Sequence, residues 1–128
     1  MTQIDRLAER TIANMPTISR DAQSKPGSVV VTVAIIVAIL KIAILLFECW
    51  KSSTALDKCR NPNFIQRFML RRIVKKVLKA EDCGDQVEET YQSILALGRA
   101  MTLEELQQAV CEVAADSGVH EMAGRYGL

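Results

Sequence analysis

The side chains with the most chemistry to offer are four cysteines, Cys49, Cys59, Cys83 and Cys111, and a single histidine, His120. No two cysteines are spaced C-x-x-C, and one histidine cannot complete the usual zinc-ligand spacing, so no metal site is expected. Cys111 and His120 are residue types that could act as nucleophile and base. That chemistry also needs a third group to orient the base and donors for an oxyanion, and no pattern announces either. A half-buried core cysteine is the plainer reading of Cys111. The chain carries no phosphate loop and no glycine-rich dinucleotide fingerprint. Its carboxylates at 81–89 and 104–105 sit where helix caps and solvated faces place them. The expectation is a protein that is not an enzyme and holds no cofactor.

The remaining chemistry is charge. The total is nearly neutral, 16 Lys and Arg against 15 Asp and Glu, but the two signs are segregated. Residues 51–80 hold nine basic and one acidic side chain, a net of +8, whereas residues 81–128 hold two basic and ten acidic, a net of −8. Arg71, Arg72, Lys75, Lys76 and Lys79 form the densest cationic cluster. Such a cluster could rest on anionic lipid headgroups, hold nucleic-acid phosphates, or meet the acidic segment within or between chains. Base-reading motifs and interleaved aromatics are lacking, which disfavours nucleic acid. The opposed blocks suggest head-to-tail contact between copies.

These groups must be carried by helices. Asn61 and Pro62 suit an N-cap and a first helical position, predicting a basic amphipathic helix over 61–80. At about 100° per residue, Ile65, Met69, Leu70, Ile73, Val74, Val77 and Leu78 share one face and the cations gather on the other. Phe64 and Phe68 fall near the basic side. An acidic two-helix module follows over 81–118. Its first helix spans 85–97 and ends near Gly98. Its second opens with a capping box at Thr102 and Glu105 and closes near Gly118. Residues 119–128 are expected to be a flexible tail. Before the span, residues 1–27 form a leader in which Ile4, Leu7, Ala8, Thr11 and Met15 lie at helical spacing, followed by linker.

Between leader and module lies an apolar block, 28–47, interrupted by one charge, Lys41. As a helix, residues 29–47 extend about 28 Å, close to the roughly 30 Å of a hydrocarbon core. The block therefore reads as a transmembrane helix bounded by Val29 and Phe47, with 48–60 as a juxtamembrane linker. A cleaved signal peptide fits less well, because small residues are missing where cleavage would fall. The other competitor is a buried helix of a soluble bundle. Ala34 and Ala38 make a small-xxx-small pair, and Lys41 would either snorkel to the headgroups or line a helix bundle or pore. The excess of basic residues after the span orients the C-terminal module to the cytoplasm or to a virion interior. All four cysteines would then be free thiols on the reducing side, with Cys49 open to acylation.

The expected fold class is all-α, with one transmembrane helix followed by a small amphipathic helical module. In layout (leader 1–27, span 28–47, basic–acidic module 61–118) the chain resembles the small single-pass virion membrane proteins of lipid-containing icosahedral phages such as the corticoviruses. That resemblance implies a virion or host inner-membrane protein linking lipid to capsid or genome, and it carries over no residue roles. The function expected is structural or in assembly, with membrane lipids and further copies of the chain as partners. Its rivals are a pore-forming protein, a soluble helical adaptor with 28–47 in its core, and a membrane-tethered nucleic-acid binder.

Overall fold

The computed structural model describes residues 2–15 and 30–128. Among the described residues every regular element is helical. The first helix, α1 (Gln3–Ala13), opens on a reciprocal cap between Thr2 and Asp5 and buries Ile4, Leu7, Ala8 and Thr11. A second cap reaches it from far along the chain. The Glu112 carboxylate accepts the amides of Gln3 and Ile4 at 2.6 and 3.0 Å. Two amides that a helix start leaves without intrahelical partners are thereby bonded.

The apolar block forms α2 (Val33–Phe47), and here the structure corrects the sequence reading. The helix starts at Thr32, whose hydroxyl accepts the Ile35 amide, and stops at Glu48 in the left-handed conformation (φ 58°). Its 15 residues rise about 22 Å, short of a hydrocarbon core. Among the described residues no helix is long and apolar enough to cross a membrane. Instead Ile35, Ile36, Ile39, Leu40, Ile42, Ala43 and Ile44 are buried around its circumference. A helix that is apolar all round requires apolar surroundings, which lipid and protein interior supply equally. Here α1 packs on one side and later helices cover most of the rest, leaving Ala34 exposed. Val29, the expected start of the span, lies outside the described residues. Of the alanine pair, Ala38 is buried and Ala34 is exposed, so they do not form a close-approach face of one exposure.

Residues expected as linker form α3 (Ser53–Arg60), capped by the Ser52 hydroxyl on the Ala55 amide at 3.0 Å. A disulfide joins Cys49 to Cys59, with Cα atoms 6.1 Å apart. That spacing is within the range a disulfide bridges without backbone movement. The expectation of four free thiols therefore fails for this pair. It had followed from the assumed span and orientation, not from the cysteines' own spacing.

The basic helix, α4 (Phe64–Ala80), begins two residues later than expected. Asn63 and Gln66 exchange backbone–side-chain bonds of 2.9 and 3.1 Å, a reciprocal cap that outcompetes Asn61. A single turn of 3-10 helix (Gly84–Gln86) leads into α5 (Val87–Ala100), which runs past Gly98. Gly98 serves close packing rather than termination, since a Cβ there would stand 2.9 Å from the Arg60 carbonyl oxygen. Helix α6 (Leu103–Ala115) starts at the expected Thr102–Glu105 box. The last ten residues hold a short helix, α7 (Val119–Arg125), in place of a loose tail. Val119 and Ala123 are buried against α2, the Tyr126 hydroxyl donates to Glu81 at 2.7 Å, and Lys76 donates to the Gly127 carbonyl at 2.8 Å. Core and caps together make α2 the axis around which α1, α4, α6 and α7 assemble.

Candidate functional site

Packing against α2 and α5 uses one side of α4. Leu70, Ile73, Val74, Val77 and Leu78 are buried, as their helical spacing predicts. The first turn and a half projects beyond the packed stretch. Phe64, Ile65 and Phe68 are 78%, 66% and 69% exposed there, the largest exposures of big apolar side chains among the described residues. Ile65 was assigned to the buried face by periodicity alone, and the structure removes it from that face. Its would-be neighbours in the core begin only at Leu70. The signal available in sequence was Phe64 and Phe68, two aromatics off the apolar stripe.

Cations surround and extend this cluster. Arg67, Arg72, Lys75 and Lys79 are exposed, and none has an ion-pair partner among the described residues. Arg71 is paired with Glu88 of α5 at 3.1 Å, both side chains more than half exposed, so the pair is worth little in water. Lys76 is spent on the Gly127 carbonyl. The acidic segment thus neutralises Arg71 by an ion pair, bonds Lys76 through a carbonyl, and leaves Arg72, Lys75 and Lys79 to solvent. Beside the start of α4, a shallow depression of about 270 Å³ holds Lys51 and Lys58 together with Asn63 and Gln66. Lys51 is bonded to Glu48 at 2.9 Å.

Lys41 has a specific partner. Its ammonium meets the Asp116 carboxylate at 2.8 Å, tying α2 to the end of α6. The Lys41 bond, together with the Gly118 amide that bonds the other oxygen at 2.9 Å, holds the Asp116 carboxyl below its ordinary range. Thr102 and then Arg10 do the same for Glu105, and the Thr2 cap does it for Asp5. A carboxylate depressed on folding stabilises the fold above its unfolded pKa, about 4. That stability is lost as pH falls through the lower folded value. The melting temperature is therefore expected to hold from neutrality to about pH 5 and to drop below about pH 4. Asp116→Asn should flatten part of that drop. Thermal melts across pH decide it, and an unchanged acid limb in the variant would remove Asp116 from the account.

The apolar cavity at the centre of the bundle is too small for a ligand. Lined by side chains including Leu7, Leu40, Ile44, Leu95, Met101 and the Cys49–Cys59 bridge, it is about 60 Å³. Ligand pockets run to about 300–1,000 Å³, so this is a packing gap. Cys111 is exposed in a broad groove between α1 and α6, whereas His120 lines a different depression beside Trp50. The two are not brought together. Cys83 is buried in the turn before α5, and burial pushes its thiol up. Among the described residues no three of His, Cys, Asp or Glu are grouped to hold a metal ion.

No family model, curated protein or solved structure matches the chain. The resemblance in layout to phage virion membrane proteins counted the span 28–47 among its features, and the packing of α2 takes that feature away.

Proposed function

We propose that this chain is a non-enzymatic docking module with a structural or assembly role, and that its contact surface is the outward face of α4. The carrying observation is the cluster Phe64, Ile65 and Phe68, which stands in solvent among Arg67, Arg71, Arg72 and Lys75. Removing a Phe or Ile side chain from water contributes about 1.5–3 kcal/mol. Leaving three neighbouring ones exposed, on a chain that buries Ile35, Ile36, Ile39, Ile42, Ile44 and Ile73, forgoes that gain, and such patches mark interaction sites. The cations without an ion pair among the described residues, Arg67, Arg72 and Lys75, select an acidic partner surface and speed encounter with it. The rest of the bundle is the scaffold that holds α4 by its opposite face.

The test is where the full chain goes in cells. Wild type is expected to fractionate with large structures, and Phe64→Ser/Ile65→Ser/Phe68→Ser with free monomer, at equal helicity by circular dichroism. If both fractionate alike, α4 is not the docking face.

A further inference from the structure

We infer that the surface that α4 docks on is an anionic lipid bilayer, an inference that rests on the reading of α4 as the docking face. At about 100° per residue, Phe64, Phe68, Arg71, Arg72, Lys75 and Lys79 fall in one outward stripe. Its start is apolar and its remainder cationic. An occupant must take in protruding phenyl and isoleucyl groups that have no shaped surroundings, and must present anions beside them along the rest of the helix. A bilayer with acidic headgroups supplies hydrocarbon a few ångströms below a plane of phosphate, and it does so without a matching pocket.

The alternatives fit less of the face. Nucleic acid answers the cations and could stack on the phenylalanines, but it offers nothing to Ile65. A second copy would have to supply free carboxylates, and at least five in its acidic block are already engaged within the chain. Glu81 holds Tyr126, Glu88 holds Arg71, and Glu105 holds Arg10. Glu112 holds the start of α1, and Asp116 holds Lys41. In the basic block Lys51, Arg60 and Arg71 are ion-paired, but on α4 itself Arg67, Arg72, Lys75 and Lys79 have no ion pair among the described residues. The charge segregation seen in sequence is thus partly cancelled by ion pairs at Glu88, Glu105 and Asp116, while four cations of α4 stay open. Lys58, in the depression beside Asn63 and Gln66, adds one further cation near the start of α4, whereas Lys51 there is paired with Glu48.

Co-sedimentation of the purified full chain with vesicles tests this. The vesicles are pure phosphatidylcholine or equal parts phosphatidylcholine and phosphatidylglycerol. Binding is expected to the mixed vesicles only, weakening as salt is raised. Two variants, Phe64→Ser/Ile65→Ser/Phe68→Ser and Arg67→Gln/Arg72→Gln/Lys75→Gln/Lys79→Gln, should each bind about tenfold less or weaker still. All substituted side chains are exposed, so unchanged melting temperatures separate lost binding from lost folding. No binding to the mixed vesicles overturns the inference, as does binding that ignores either variant. If vesicles fail while the serine variant still loses its cellular fractionation, the docking face stands and its occupant is a protein. Tight retention on duplex DNA that is indifferent to the serine variant would point to nucleic acid and overturn the lipid assignment.

Discussion

Aspartate in place of Ile39 should abolish the cooperative melt of the full chain. Ile39 lies mid-way along α2 with none of its surface exposed, and Ile36 and Ile42 beside it are equally buried. A carboxylate there has no cation to meet, because Lys41 is already committed to Asp116. An unpaired buried charge belongs to the class of substitutions that cost more than about 4–5 kcal/mol. A domain of this size holds about 5–15 kcal/mol in all. The informative control is Ala34→Asp on the same helix. Ala34 is exposed, so that change should cost no more than about 1 kcal/mol. In a helix surrounded by lipid both aspartates would be intolerable. A large gap between the two variants in thermal circular dichroism is therefore the signature of a helix enclosed by its own chain, and equal loss in both would refute the packing described for α2.

Loss of the Cys49–Cys59 bridge is the second large effect. The bridge joins the end of α2 to the last turn of α3 across a sequence separation of 10. Closing a short loop of this kind restrains the unfolded chain, and removing such a bond costs about 2–4 kcal/mol. The melting temperature of Cys49→Ala/Cys59→Ala should fall on the order of 10 °C below wild type. A dithiol reductant should reproduce the fall in wild type and add nothing in the variant. Cys111→Ser, at an exposed thiol, should stay within about 0.5 kcal/mol of wild type. The bridge also anchors the segment from which α4 starts, so the loss should extend to faster amide exchange in α3 and the first turn of α4. An unshifted melt on reduction would mean that apolar contacts alone hold α3, through Leu56 and the packing of Gly98 against Arg60.

Local signals were legible where they depend on near neighbours. The capping box at Thr102 and Glu105, the buried stripe Leu70–Ile73–Val74–Val77–Leu78 and the helical leader around Ile4 and Leu7 are all present at their expected places. Each is set by spacing of three or four residues and by backbone bonding within one turn. Helix α3 was missed because its eight residues carry too weak an apolar pattern to stand out. Helix α7 was missed because its burial depends on α2, more than seventy residues away. Part of the docking face was legible as well. Arg71, Arg72, Lys75, Lys76 and Lys79 were visible as a cluster, but Glu88 and the Gly127 carbonyl, which withdraw Arg71 and Lys76, lie on other elements.

By itself the sequence determined that the chain is helical, that its charge is divided between two segments, and that one helix must be shielded from water over most of its surface. What shields that helix was beyond it, because the free energy of burying isoleucine depends on the absence of water and hardly on whether lipid tails or other side chains replace it. Only the tertiary structure decided in favour of side chains, by bringing the apolar stripes of α1, α4, α6 and α7 onto α2. The same packing ends at Leu70, and it is this boundary that leaves Phe64, Ile65 and Phe68 outside the core. Periodicity can say which residues share a face, but the length over which that face is covered is set by where the neighbouring helices stop.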